Sequence, residues 1–355
     1  MATGPVTPQT PEQRRQAFAW ALYDWGNSAF ATTVMAGFFP LFFKKYWSAG
    51  ADVAHSTWNL GVANSIASLI VAFVAPVLGA HADQSHGKKR WLGVFAAIGC
   101  IGTFALAFVG QGQFAQATLW YSVASLGFSA SLVFYDALLV SVADDAHSDR
   151  VSALGYGLGY LGGGVLFAVN VLMYLKPALF GLADGPAGIR ASFATVAVWW
   201  ALFTIPLLKR VQERAAATSL ADGATQRSAL ARALGETRKT LGRLRDMPAL
   251  RNFLIAYWLY IDGIDTIQRM AVDYGLSIGL PSQSLIIALL IVQFVGFPAA
   301  IVFGKLAGRI GAKRAILIGV AAYVVITVLG YGMQTTRDFY ALAVMVGLVQ
   351  GGVQA

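Results

Sequence analysis

The sequence predicts an all-α, polytopic membrane protein made of two pseudo-symmetric helical bundles. Of its 355 residues, 57% are hydrophobic and only 12% are charged, whereas a soluble domain has roughly 45–50% apolar and about 25% charged residues. The mean hydropathy is +0.61, and the apolar residues fall in long blocks. One motif also recurs after about 225 residues. These observations exclude a water-soluble globule, a disordered chain, a collagen and a disulfide scaffold.

Ten apolar blocks approach the ~20 residues that a bilayer-crossing helix needs. The first is longer than the ~7–15 residues of a signal-peptide core, which predicts an uncleaved first span. The tenth is still apolar where it reaches Ala355, which predicts a chain cut off before its last spans. The ten predicted spans are 17–43, 57–80, 91–110, 117–142, 152–175, 190–208, 252–275, 283–304, 315–334 and 339–355.

Lysine and arginine are distributed unequally between alternate loops. Twenty of the 26 fall on the side that carries the amino terminus, five fall on the other side, and Arg269 lies within a span. Because positive residues are retained on the cytoplasmic side, the pattern predicts a cytoplasmic amino terminus. We expect a bacterial inner (plasma) membrane and a lipid bilayer as the surroundings. The basic residues lie in separate loops and form no single soluble face, which argues against nucleic acid.

One long polar segment divides six spans from four. It predicts three regions: an amino-terminal six-helix bundle at 1–208, a cytoplasmic basic linker at 209–251 and an incomplete carboxyl-terminal bundle at 252–355. The linker holds ten basic and four acidic residues. A basic amphipathic helix on anionic headgroups and a solvated linker both explain it.

A motif follows the second span of each half. The first copy reads GAHADQSHGKKR from Gly79 to Arg90, and the second reads GKLAGRIGAKR from Gly304 to Arg314. A repeat on either side of a linker indicates two related bundles. Small residues let helix ends approach closely, and a carboxylate can accept hydrogen bonds at a helix N-terminus. The residues predicted to act in this gating loop are Gly79, Asp83, Gly87, Lys88, Lys89, Arg90, Gly304, Arg309, Gly311 and Lys313.

These two motifs resemble the signature loop of the major facilitator superfamily, G-x-L-A-D-R-x-G-R-K, which lies between spans two and three. The resemblance covers essentially the whole chain and implies the major facilitator fold. The superfamily usually has twelve spans, which implies that about two are missing here. The second copy has Gly308 in place of the acidic residue, which departs from the pattern.

Four further segments resemble a narrower branch of that superfamily. They are ALYDWGNSAFATTV, VFYDALL, RVSALGYGLGYLGGG and LYIDGIDTIQRMA, which begin at Ala21, Val133, Arg150 and Leu259. Together they are similar to the autophagy-related vacuolar amino-acid effluxers and their bacterial relatives. The resemblance implies export of amino acids or similar small metabolites.

The seventh predicted span carries four charged residues on one helical face. Asp262, Asp265, Arg269 and Asp273 follow one another at spacings of three, four and four. Charges inside a membrane are costly and usually face the bundle interior. Arg269 is placed to pair with Asp265 or Asp273. A binding site for a zwitterionic or charged solute and a structural ladder of salt bridges are both consistent with this face.

Two further carboxylates, Asp24 and Asp136, lie well inside predicted spans. Neither has a basic residue nearby on its own helix, so both are the better candidates for carrying a proton. Asn27 and Ser28 stand at i+3 and i+4 from Asp24 and add polar groups for a solute. An interhelical hydrogen bond that fixes packing is the alternative role.

A row of glycines in the fifth predicted span has the small-xxx-small spacing that permits close helix contact. It comprises Gly155, Gly159, Gly163 and Gly164. Packing is the first interpretation. The segment also resembles the antiporter signature G-x-x-x-G-P-x-x-G-G-x-L, with Tyr160 where that signature has proline.

Neither enzyme chemistry nor a cofactor is indicated. The chain has a single cysteine, Cys100, and its four histidines lie in loops or at span ends, so no metal site is expected. Walker, dinucleotide, nucleophile-elbow and HExxH motifs are absent from the sequence.

The sequence therefore predicts a monomeric secondary transporter that moves a small-molecule solute by alternating access with protons as coupling ions. Asp24, Asn27, Asp136, Asp262, Asp265 and Arg269 are the predicted binding residues. The alternatives are a non-transporting membrane sensor or scaffold that keeps the fold, and a passive channel.

Overall fold

The computed structural model describes residues 10–50, 52–84, 87–144, 147–213, 235 and 242–354. Within these ranges, the side chains of 53, 72–84, 149, 245, 304, 305, 308, 312 and 351–354 are not described. All regular secondary structure in the described residues is helical.

The chain begins with a nearly continuous helical rod. The rod comprises α1 (Pro11–Ala29), a π-helical segment π1 (Phe30–Phe38), α2 (Phe39–Phe42) and a second π-helical segment π2 (Phe43–Trp47). In the described ranges, nine further long helices follow: α3 (Val53–Gln84), α4 (Lys88–Leu106), α5 (Phe114–Val142), α6 (Ser148–Leu175), α7 (Gly185–Arg210), α8 (Pro248–Ser277), α9 (Ser282–Ile310), α10 (Ala312–Tyr331) and α11 (Thr336–Gln354). Short 3₁₀ turns lie at Pro177–Phe180 and Leu244–Asp246.

The rod and these nine helices coincide one to one with the ten predicted spans, which confirms the all-α, polytopic fold class. Within the part of the chain that the structure describes, six of the helices are long and apolar enough to cross a membrane. The rod starts earlier than predicted, at Pro11. The reason is a capping box, in which Thr10 Oγ1 accepts from the Gln13 backbone N–H and the Gln13 side chain accepts from the Thr10 backbone N–H.

The π-helical segments of the rod were not predicted. In π geometry the backbone bonds to the fifth residue back, as the Phe39 N–H does to the Val34 carbonyl and the Ser48 N–H does to Phe43. Pro40 offers no N–H, so it cannot donate the bond that would restore regular α-helical pairing there. The apolar pattern of a span does not reveal such a local change in winding.

In the first half, the rod packs against α6 and α7, and α4 packs against α5. The contact between α4 and α5 is very close, because a Cβ on Gly127 would lie 2.3 Å from the Gly99 backbone nitrogen. Large aromatic side chains fill the remaining space, and Trp47, Trp200, Tyr23 and Tyr121 are fully buried. Truncating such a buried aromatic side chain to alanine typically lowers the folding free energy by several kcal/mol, because it leaves a cavity in the packed interior.

In the second half, α11 packs against α9 and α10, and the two halves meet where α6 contacts α9. At that contact a Cβ on Gly296 would lie 3.0 Å from the Tyr160 ring, and a Cβ on Gly164 would lie 3.3 Å from Gln293 Cβ. Helix α8 is exposed from Arg251 to Leu259 but buried at Val272 and Asp273, nearer its carboxyl end.

The helix ends group at two opposite levels. At one level, here called the Lys44 end, the Gly112 N–H donates to the Tyr46 carbonyl and Trp47 Nε1 donates to the Val109 carbonyl. At the other level, the Lys88 end, the Gln212 N–H donates to Gln16 Oε1. Successive spans that cross a membrane in opposite directions place their ends alternately at two levels, and the helix ends here are grouped in that way.

Candidate functional site

A large cavity of about 1140 Å³ opens between the two halves. Its walls come from the rod, α3, α5, α6 and the carboxyl-terminal helices. Its polar and aromatic lining includes Asp24, Asn27, Ser28, Tyr135, Asp136, Tyr156, Tyr160, Tyr257, Asp265, Gln268, Arg269, Tyr274, Gln293 and Gln350. The volume is large enough for an amino acid, a sugar or a solute of similar size.

Asp24 lies on α1 at the wall formed by the first half. Ser28 Oγ donates a hydrogen bond of 3.3 Å to Asp24 Oδ1, because these residues stand one turn apart. The backbone of α6 runs directly beside them at Gly159, where a Cβ would lie 2.7 Å from Ser28 Oγ and 3.2 Å from Asp24 Cγ. The small residue on α6 thus makes room for the pair at the cavity wall.

Aromatic contacts hold α1 and α5 in fixed relation beside this pair. The rings of Trp20 and Tyr135 stack with centroids 4.1 Å apart, and Trp20 Nε1 donates to the Tyr135 carbonyl at 2.9 Å. Tyr23 Oη donates to Ser131 Oγ at 2.6 Å. Asp136 directly follows Tyr135 and is exposed to the cavity. The frame therefore places two carboxylates from different helices on one cavity.

Several buried polar atoms on the cavity wall have no hydrogen-bond partner in the described part of the chain. They are Asn27 Nδ2, Tyr135 Oη, Tyr160 Oη and Gln268 Nε2. Asn27 is only 1% exposed. Buried polar groups are almost always paired with protein, water or ligand, so these atoms mark places where the hydrogen bonding of the cavity wall is incomplete.

The wall formed by α8 presents Asp265 and Arg269. Arg269 Nη2 lies 4.0 Å from Asp265 Oδ2, at the outer limit of an ion pair, and its Nη1 lies 3.5 Å from Ser68 Oγ. Arg269 thus retains N–H groups that are free to meet an anionic group. Asp262, predicted to share this face, is exposed and does not line the cavity. Tyr257, Ile261 and Asp265 on either side of it do line the cavity, so the helical spacing did not reveal which face of α8 meets the cavity.

Of the two carboxylates that the spacing offers to Arg269, Asp273 is paired elsewhere. Its carboxylate meets two residues of the first half: Lys44 Nζ lies 2.8 Å from Oδ1, and Thr57 Oγ1 donates to Oδ2 at 2.8 Å. Lys44 Nζ also donates to Thr57 Oγ1 at 2.9 Å. We call Lys44, Thr57 and Asp273 the Lys44 cluster. Asp273 lies more than 200 residues from Lys44 and Thr57 in sequence, which is why periodicity along one helix missed the cluster.

The repeated motif forms a tight connection between helices in each half. Gly87 and Gly311 both have positive φ, at 108° and 87°, and each immediately precedes the next helix, a conformation that favours glycine. Lys88, Lys89 and Arg90 form the first turn of α4, and Arg309 and Lys313 are exposed at the corresponding place. Gly79, Asp83 and Gly304 belong to helices, but the structure describes only their backbone conformation. The role expected of Asp83 therefore has no structural account.

A carboxylate that sequence reasoning missed caps this connection. Glu213 accepts backbone N–H groups from Gly87, Lys88 and Lys89 at 2.8, 3.0 and 2.9 Å. Lys89 Nζ returns a bond of 2.6 Å to the Val211 carbonyl. The available signal was an acidic residue just beyond the end of the sixth span, within a strongly basic segment.

The glycine row on α6 faces α1 in the structure. A Cβ on Gly155 would lie 2.9 Å from Tyr135 Oη and from the Trp20 ring, and one on Gly163 would lie 3.1 Å from the Ser28 carbonyl. Gly164 turns toward α9 instead. Within this row, Gly159 lines the cavity as well as the helix contact.

Comparison with known proteins agrees with this architecture. The pattern of the family described as "Vacuole effluxer Atg22 like" matches residues 50–355. The chain is 38% identical over 346 residues to the uncharacterised MFS-type transporter YxiO of Bacillus subtilis (strain 168), covering 96% of this chain and 79% of that protein. It is 24% identical over 229 residues to autophagy-related protein 22-1 of Penicillium rubens, covering 59% of this chain but only 38% of that relative.

Solved structures with the same fold are transporters. The xylose transporter XylE from E. coli in a partially occluded inward-open conformation aligns with a TM-score of 0.67 at 13% identity, covering 96% of this chain and 86% of that one. The nucleoside transporter NupG aligns with a TM-score of 0.62 at 16% identity, covering 96% and 80%. From the family match over residues 50–355 and this shared architecture, we conclude that the chain belongs to the Atg22-like vacuole effluxer family of MFS-type membrane transporters.

Proposed function

We propose that the protein is a proton-coupled secondary transporter that exports an amino acid or a similar small metabolite by alternating access. The observation that carries the proposal is the cavity between the halves, where Asp24 and Asp136 lie on one wall and Asp265 and Arg269 on another. Transporters of related architecture bind their solutes near the midplane at such an interface.

The chemistry of the cavity suits a solute with both an amine and an anionic group. An ammonium group needs acceptors, which Asp24 and Asp136 supply. A carboxylate needs donors, which the Arg269 guanidinium supplies. The tyrosine rings on the cavity wall add apolar surface and, for a cation, favourable ring faces.

Protons are the proposed coupling ion. Asp24 is hydrogen-bonded to Ser28, and among the described residues neither Asp24 nor Asp136 has an ion-pair partner. A carboxylate without a counter-ion in a closed site can be neutralised by a proton, and an amine can take the proton's place when the site opens. Exchange of a solute for protons at Asp24 follows from this competition.

The proposed orientation places the amino terminus and the Lys88 end in the cytoplasm of a bacterial cell. It is supported by the excess of lysine and arginine at that end. The Glu213 cap and the Lys88–Arg90 turn would then stabilise the cytoplasmic ends of the first half during transport. A monomer is proposed, because each wall of the cavity comes from one chain.

The test is uptake of a labelled amino-acid mixture into proteoliposomes that contain the full-length protein, with and without an imposed pH gradient. We expect saturable, gradient-driven uptake that falls at least ~10-fold in Asp24→Asn, because the amide keeps the shape of the carboxylate but cannot carry its charge or proton. Glu12→Gln is the matched control, since Glu12 lies on the same helix but is exposed outside the cavity. Flux that is unsaturable and independent of the gradient would identify a channel instead, and absence of flux for all amino acids would reject this solute class.

A further inference from the structure

The Lys44 cluster joins the two halves by an unusually complete set of polar contacts. Lys44 Nζ reaches Asp273 Oδ1 at 2.8 Å, Thr57 Oγ1 at 2.9 Å and the Asp273 carbonyl at 3.4 Å, so all three of its N–H donors have partners. Thr57 Oγ1 in turn donates to the second oxygen of Asp273. The side chains of Lys44 and Asp273 are 9% and 1% exposed.

The cluster lies beside the part of α8 that lines the cavity. Asp265 and Arg269 line the cavity, and Asp273 follows one turn later on the same face of the helix. Lys44 comes from π2 at the end of the rod and Thr57 from the start of α3, so three elements close around one carboxylate. Next to it, Lys45 Nζ donates to Ser282 Oγ at the start of α9, which adds a second polar link between the halves.

Contacts between the halves are weaker toward the other end of α8. The segment from Arg251 to Leu259 is exposed, whereas Val272 and Asp273 are buried. The described polar contacts of α8 with the first half lie at or beyond Arg269, as in the long contact from Asn64 Nδ2 to Met270 Sδ at 3.8 Å. The two halves are therefore held together at the Lys44 end and separated along α8 at the Lys88 end.

A buried ion pair is well suited to an interface that must open and close. Its attraction is largely offset by the cost of removing both charges from water, so a closed pair adds little net stability over one that is separated and hydrated. An apolar contact of the same area has no such offset and would hold the halves together. Removing one partner, however, leaves the other charge buried and strongly disfavours the closed state.

We infer that the Lys44 cluster is a gate, which must separate for the cavity to open at the Lys44 end. The inference rests on the proposed alternating-access function. It assigns to Lys44, Thr57 and Asp273 a role in setting the balance between two conformations, distinct from the solute-binding role proposed for Asp24. Opening transfers Lys44 and Asp273 to water, and closing re-forms the three-way contact.

The test measures access to the cavity and needs no solute. In a Cys100→Ala background, Ala271→Cys places a thiol on the cavity wall between Arg269 and Asp273. The rate at which a membrane-impermeant maleimide labels this thiol is measured in intact cells and, separately, in inverted vesicles. The two preparations expose opposite sides of the membrane, so the access of the reagent is measured from each side. We expect Lys44→Gln and Asp273→Asn to speed labelling from the Lys44 side roughly tenfold, by shifting the population toward the open state.

Three further variants make the outcome decisive. The charge-swapped pair Lys44→Asp with Asp273→Lys should restore slow labelling, and the milder Thr57→Val should speed it even if a charge variant fails to accumulate. Lys176→Gln is the control, because this lysine lies at the same end and has no ion pair among the described residues. Unchanged labelling in Thr57→Val and the charge variants, with only lower thermal stability, would overturn the gate. A gate that responds as expected while no solute is transported would leave the gate standing and reject the proposed function.

Discussion

At the scale of single residues, Gly159 is what allows Asp24 and Ser28 to lie against the backbone of α6. A Cβ at this position would lie 2.7 Å from Ser28 Oγ and 3.2 Å from Asp24 Cγ, which is too close without a shift of those side chains. We expect Gly159→Ala to lower the maximal rate of transport or the affinity for solute at least several-fold. Initial rates in proteoliposomes over a range of solute concentrations measure both quantities.

Gly157 supplies the matched control for that substitution. It lies on the same helix two residues away, and a Cβ there would meet only the Phe297 ring, at an ordinary 3.7 Å. Alanine raises helix propensity at both positions by about 1 kcal/mol, so this effect cancels in the comparison. Equal transport by Gly157→Ala and Gly159→Ala would show that the space beside Asp24 is not needed.

At the scale of helices, the start of α4 depends on a residue from beyond the end of α7. The Glu213 carboxylate accepts three successive backbone N–H groups, which no side chain at the Gly87 N-cap position can do. A hydrogen bond to a charged group contributes about 1.5–3 kcal/mol to stability, and an anion at a helix N-terminus is also stabilising. We expect Glu213→Ala to lower the apparent melting temperature of the detergent-solubilised protein by several degrees, followed by tryptophan fluorescence. Glu12→Ala, which removes an exposed glutamate in the first turn of α1, should leave it nearly unchanged.

The helices themselves could be predicted because each is a local signal of about 20 apolar residues. The Thr10–Gln13 cap is equally local, although the amino-terminal limit was drawn at the first apolar residue and so missed it. The Lys44 cluster could not be predicted in this way, because its partners are brought together only by the packing of three helices. The i+4 spacing allows Arg269 to pair with Asp265 or with Asp273. The structure places Arg269 4.0 Å from Asp265 and pairs Asp273 with Lys44 from the other half. Local periodicity predicts which face of a helix is polar, but not which helix that face meets.

At the scale of the whole molecule, the polar groups divide into three levels along the membrane normal. The Lys44 cluster lies at one end, the cavity carboxylates and Arg269 lie between, and the Glu213 cap lies at the Lys88 end. The described polar contacts of α8 with the first half lie at or beyond Arg269, toward the first level, while the cap joins elements within the first half only. Under the proposed mechanism, the halves therefore rock about contacts such as that of α6 with α9, and the Glu213 cap moves with the first half as a unit.

The proposed orientation of these levels can be tested at the two ends of α7. Its 26 residues extend about 39 Å at 1.5 Å per residue, more than the ~30 Å hydrocarbon core, so its ends must lie on opposite sides of the membrane. Ala183, just before α7, and Lys209, near its end, are both exposed. In a Cys100→Ala background, we expect an impermeant thiol reagent to label Ala183→Cys in intact cells and to label Lys209→Cys only after permeabilisation.

The reason for that expectation is the distribution of charge. Replacing Lys209 leaves nineteen of the twenty basic residues assigned to its side, so the substitution itself should not invert the protein. The cysteine-free parent corrects for background labelling. The opposite pattern, with Lys209→Cys labelled in intact cells, would place the Lys44 cluster on the cytoplasmic face. The gate would then open the cavity toward the cytoplasm, and the proposed direction of solute movement would have to be worked out again from that side.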